Sequence, residues 1–120
     1  MRQVNDLVLS GSDAGTVLGS QLDTNQIINS SYHFVLSDNT AAGVCSLQAS
    51  NDICQVGQNA QNFVVTNWVA IPGATVTLAA GAKQALISLD ESAFRWVRAV
   101  YTSTTPGTGT VTVNRFAQSI

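Results

Sequence analysis

The chain has 120 residues and a net charge of -2, and only 10% of it is charged, against about 25% in an ordinary soluble domain. That length makes one domain, assigned to residues 1–120, with enough chain to bury a single core. Five Lys and Arg residues are too few for the clustered positive charge that phosphate backbones require, which argues against a nucleic-acid partner.

Taken in order, Asn5 to Ser10 forms a short strand candidate around Leu7, Val8 and Leu9, and Gly11 to Gly15 supplies turn chemistry. Thr16 to Leu22 extends as an edge strand, Gln26 to Asn29 is a further short segment with Ile27 and Ile28, and the Asn and Ser residues at 29 to 31 give a break. Tyr32 to Leu36 alternates, which predicts Tyr32, Phe34 and Leu36 inward and His33 outward, because successive strand side chains point to opposite faces. Val44 to Ala49 follows with Cys45 and Leu47 inward. Gln55 to Asn62 is a polar surface excursion, and Phe63 to Val69 regains strand character. Ile71 to Ala74 places Pro72 and Gly73 as a type II turn prefers them. Thr75 to Leu78 and Gln84 to Leu89 are strands, and Asp90 to Ala93 forms a single helical turn.

The most strongly patterned stretch is Phe94 to Ala117, a hairpin of Phe94 to Thr102 and Thr110 to Ala117 around Pro106, Gly107 and Gly109. Its first strand sets Val97, Ala99 and Tyr101 on one face and Trp96, Arg98 and Val100 on the other. Neither face is simply polar, so the outer one is expected to be covered by another element or another chain. The total is eight or nine short strands, almost no helix and a turn every 8 to 12 residues or so. The fold class is therefore all-β, an antiparallel β-sandwich of jelly-roll or discoidin-like type.

No catalytic or metal constellation stands out. His33 lacks a visible acid or nucleophile partner, Asp90 and Glu91 point apart on a strand or turn, and two cysteines with one histidine cannot complete a zinc site. Asp38 and Asp52 lie in loops, where turn formation competes with a contribution to a calcium site. Cys45 alternates with Leu47 and Ala49, which favours a buried thiol over a disulfide to Cys54. The apolar runs are too short to span a membrane, and the N-terminus lacks the apolar core of a secretory signal, so synthesis in a cytoplasm is expected. No enzyme activity and no cofactor are expected.

Ser46 to Asp52 followed by Trp68 to Gly73 resembles an element of discoidin-like sandwich domains, and Phe94 to Tyr101 with Gly107 to Val111 is similar to their closing strands. The same combination is similar to small β-sandwich proteins of tailed bacteriophages that decorate capsids or form parts of tails and fibres. That resemblance implies a non-enzymatic structural protein of a virion, made in the host bacterial cytoplasm. It would be a capsid decoration or head or tail accessory protein that contacts its own copies and a capsid or tail protein. Aromatic and Arg anchors carry most interface energy, so Trp96, Arg98, Arg95 and Val100 are the expected contact residues. The alternative is a carbohydrate-binding module or receptor-contacting domain, with a glycan stacked on Trp68 and hydrogen-bonded by Gln58, Asn59 and Asn62.

Overall fold

The computed structural model describes residues 2–24, 27–53, 63–90 and 94–119. Nine strands account for the secondary structure of the described residues: β1 (Arg2–Ser12), β2 (Thr16–Leu18), β3 (Leu22–Asp23), β4 (Ile27–Leu36), β5 (Ala42–Ser50), β6 (Val69–Leu78), β7 (Gln84–Asp90), β8 (Trp96–Thr105) and β9 (Thr110–Ser119). They form two antiparallel sheets, one ordered β1-β9-β4-β7 and the other β2-β8-β5-β6, with β3 also paired to β8.

The order follows from a folded-over ribbon. If β2 and β3 fill one interrupted strand position, the pairs β1:β9, β2/β3:β8, β4:β7 and β5:β6 are the rungs of one long hairpin. Curling that ribbon creates the contacts β9:β4 and β8:β5. This is the jelly-roll arrangement, two Greek keys in two sheets. The turns around residues 13–15, 37–41, 79–83 and 106–109 therefore gather at one end. Residues 19–24, 51–53 and 63–68 lie at the other, where Arg2 stands opposite Ser119.

Burial follows the alternation. Tyr32, Phe34 and Leu36 of β4 are buried between the sheets with Leu47 of β5, Val97 and Tyr101 of β8, and Val111 and Val113 of β9. Burying each such side chain contributes about 1.5–3 kcal/mol relative to leaving it exposed. Cys45 sits among them, and burial pushes its thiol pKa up to about 12. A bulge between Leu7 and Leu9 turns both Val8 and Leu9 inward. Arg115 also points inward, where Nε and Nη2 donate to Asp6 Oδ1 and Oδ2 at 3.0 and 2.9 Å. It stands opposite Tyr32, whose hydroxyl pKa is raised chiefly by burial.

Two expectations are corrected. Ile71 to Ala74 is not a turn between strands but part of β6, which pairs with β5 on either side of an irregularity opposite Ser46 to Gln48. Gly73 adopts φ 79° there, so the same turn chemistry makes a bulge within one strand. Phe63 to Trp68 is not a strand either. Its burial alternates as a strand's would, but side chains satisfy its backbone: Val65 N–H donates to Gln21 Oε1 at 3.0 Å, and Thr66 and Asn67 N–H donate to Asp52 Oδ2 at 3.0 and 3.1 Å. Of the expected helical turn, Asp90 belongs to β7 and residues 91–93 lie outside the described residues.

The turn end is clasped by another carboxylate. Asp38 Oδ2 accepts Thr108 N–H at 2.8 Å, and Oδ1 accepts Thr40 N–H and hydroxyl at 2.8 and 2.7 Å. These donors hold the Asp38 carboxyl well below the usual carboxylate range, Thr108 N–H most strongly. Asp38 thus ties the β4–β5 loop to the β8–β9 loop. Asp52, at the far end, ties the start of the β5–β6 connection to Thr66 and Asn67 at its close, its pKa lowered first by the Asn67 side chain. Both carboxylates act as loop clasps.

Candidate binding surfaces

The outer face of β8 carries Trp96, Arg98 and Val100 opposite Ser50, Gln48 and Ser46 of β5. Another element of the same chain covers its first residue. The segment 63–68 crosses Trp96, with the Phe63 ring 5.7 Å away and tilted by 38°, and the indole N–H donates to the Asp52 carbonyl at 3.1 Å. Trp96 is 1% exposed and packs with Phe63, Val65 and the partly buried Trp68 as a small second core. Val100 is 5% exposed. Neither residue is therefore available as an outward anchor, which corrects their place among the expected contact residues. The pattern of β8 reveals which side Trp96 faces, but not that residues more than twenty-five positions earlier lie across it.

The two arginines remain at the surface, each stacked on a tryptophan. Arg95 lies 4.4 Å above the Trp96 ring and forms an ion pair with Asp23, while its N–H donates to Asn51 Oδ1 at 2.9 Å. Arg98 lies 4.4 Å above the Trp68 ring and donates through Nε to Gln48 Oε1 at 2.7 Å. Guanidinium stacking on an indole contributes about 0.5–1 kcal/mol at exposed sites and fixes the planes of both groups. One face of Trp68 is thus already occupied. Gln58, Asn59 and Asn62, proposed as its glycan-binding neighbours, lie outside the described residues. Nearby, a cleft of 420 Å³ opens between the ends of β5 and β6, with apolar walls from Val69, Ile71, Pro72 and Phe94 and polar groups from Asn51 and Asn67.

A second surface escaped the sequence reading. Across the outer face of β1-β9-β4-β7, the registers align Ser10, Thr112, Val35 and Gln84 in one row. The next row holds Leu7, Asn114, His33 and Leu86, and the third Asn5, Phe116, Ser31 and Ser88. Leu7 is 59% exposed, Leu86 64% and Phe116 38%. His33 faces outward as expected and shares a 2.9 Å hydrogen bond with Gln84 Oε1. None of the twelve positions is Lys, Arg, Asp or Glu. Alternation places each residue outward, but only the strand order brings them into rows. No group of three or more His, Cys, Asp or Glu able to hold a metal ion occurs among the described residues.

No protein-family model and no curated protein sequence matches this chain. In fold it is similar to the SPBc2 prophage-derived protein YomS, with a TM-score of 0.58 and 12% identity over 97% of this chain and 92% of that one. Weaker likenesses reach a chain of deformed wing virus carrying the GFP gene (TM-score 0.49, 9% identity, 98% of this chain and 44% of that one) and the K1 cleaved adhesin domain of Lys-gingipain from Porphyromonas gingivalis W83 (TM-score 0.47, 13% identity, 92% and 73%). At this identity the likeness to YomS establishes a shared fold.

Proposed function

We propose that this chain is a structural protein of a bacteriophage virion, a capsid decoration or head or tail accessory protein that acts through protein–protein contacts. The observation that carries this reading is the end-to-end likeness to a prophage-derived protein, which spans 97% of one chain and 92% of the other. A low-charge surface suits it, since contact surfaces are depleted of Lys, Glu and Asp. Arg98 on Trp68 and Arg95 on Trp96 offer rigid, partly exposed guanidinium groups for a capsid or tail partner. Glycan binding at Trp68 ranks behind it, because Arg98 covers one face of the ring.

Quantitative mass spectrometry of particles purified from the phage or prophage that encodes the chain tests the proposal. The expected result is a fixed, multi-copy ratio to the major capsid protein. Particles complete in their other structural proteins but lacking this one would overturn it. A glycan array separates the second reading, for which Trp68-dependent binding is the required signal.

A further inference from the structure

We infer that the outer face of β1-β9-β4-β7 is the contact between two copies of this chain, packed sheet against sheet about a two-fold axis. The inference stands whether or not the chain is part of a virion.

Composition argues for an interface. Three consecutive four-residue rows hold no Lys, Arg, Asp or Glu, although the chain has twelve such residues. They hold exposed Leu7, Leu86 and Phe116 among Ser, Thr, Asn, Gln and His33. An exposed apolar set with an uncharged polar surround marks a contact surface rather than a solvated face. The other sheet is less suited to the same role, since the segment 63–68 covers part of its outer face and Arg98 stands on it.

Charge and area argue for a second copy as the occupant. A charged partner would gain nothing in complementarity from this face, whereas an identical face meets it with no like charges opposed. A two-fold axis running along the strands sets Leu7 of one copy against Leu86 of the other, so both apolar ends are covered at once. Four strands about 4.8 Å apart, with seven or eight residues each at about 3.3 Å, make a patch of roughly 20 by 25 Å. Side-chain relief raises this to on the order of 600 Å² per copy, or about 1,200 Å² in total, the lower bound of standard stable interfaces. Both copies are already folded, so little chain ordering opposes association.

Light scattering coupled to size exclusion on the full chain tests this. The expected mass is twice 12.6 kDa, and Leu86→Lys and Leu7→Lys should each reduce it to one chain. Asn114→Glu changes an exposed polar residue at the centre of the face, so its effect on mass does not depend on removing an apolar group. It too should give one chain, which still unfolds in a single cooperative transition, now independent of protein concentration. Arg98→Glu, on the other sheet, should leave the mass at two. A wild-type mass of one chain at the highest soluble concentration overturns the inference. So does a two-chain mass that survives Asn114→Glu, which would move the contact elsewhere.

Discussion

At the scale of single residues, Trp96 shows how a strand's alternation and a residue's burial can part company. Its side of β8 looks outward, yet Phe63, Val65 and Trp68 close over it and the Asp52 carbonyl takes its N–H. Trp96→Ala is expected to cost about 3–5 kcal/mol, the range for large core truncations, and Arg98→Ala about 1 kcal/mol or less. Urea unfolding of the two variants measures this, and equal midpoints would deny Trp96 its core role. Cys45 was legible because its neighbours Leu47 and Ala49 share its inward phase. With its thiol pKa raised to about 12, Cys45 in a Cys54→Ser variant should resist an aromatic disulfide reagent at pH 8 and react at once in urea. Rapid labelling of the native variant would mean that β5 opens locally.

Individual elements were legible where apolar residues alternate and hydrogen bonds run in ladders, as in β5, β8, β9 and the Tyr32 to Leu36 part of β4. That strand continues through the break expected at residues 29–31 because Asn29, Ser30 and Ser31 pair with β9. Elements were misread where something else supplies the bonds or the bend. Phe63 to Trp68 has a strand's alternation without a strand's partner, and the Gln21 and Asp52 side chains take that place. Pro72-Gly73 has turn chemistry, but only the register with β5 separates a bulge from a hairpin. A Cβ on Gly73 meets nothing within 4 Å, so Gly73→Ala should cost only its left-handed backbone, about 1–2 kcal/mol. Gly43→Ala should cost more, because its Cβ would run into the Tyr101 hydroxyl and stand 2.7 Å from the Thr102 carbonyl. Comparing the two melting temperatures checks the order.

The Asp38 clasp joins two elements and makes the fold acid-sensitive. Its folded-state pKa is depressed, so its stabilisation is complete above the unfolded pKa of about 3.9 and is lost as the pH falls below it. Asp52 shifts in the same direction. Urea midpoints should be flat above about pH 5 and fall below about pH 4. Asp38→Asn should have a shallower acid slope, and an unaltered slope would show that the clasp does not couple to folding.

At the scale of the whole molecule, strand number and sandwich class were legible, but strand order was not, because it depends on pairs such as β1 with β9 that lie at opposite ends of the sequence. The uncharged face was hidden for the same reason: Leu7, Phe116 and Leu86 come to share one face only in the folded sheet. Such distant pairing requires large loops to close before contacts compensate, so refolding is expected on the millisecond to second scale. Stopped-flow fluorescence of the two tryptophans measures it, and loss of the full amplitude within the mixing time would contradict this reading of the topology.

The pairing of Arg2 with Ser119 also gives the molecule a direction. A peptide or domain fused to either terminus departs from the end of the sandwich that also holds the 63–68 segment, while an insertion in the 79–83 turn projects from the opposite end, which the Asp38 clasp ties together. As a display scaffold the molecule has a tethering pole and a presenting pole, separated along its 45 Å length.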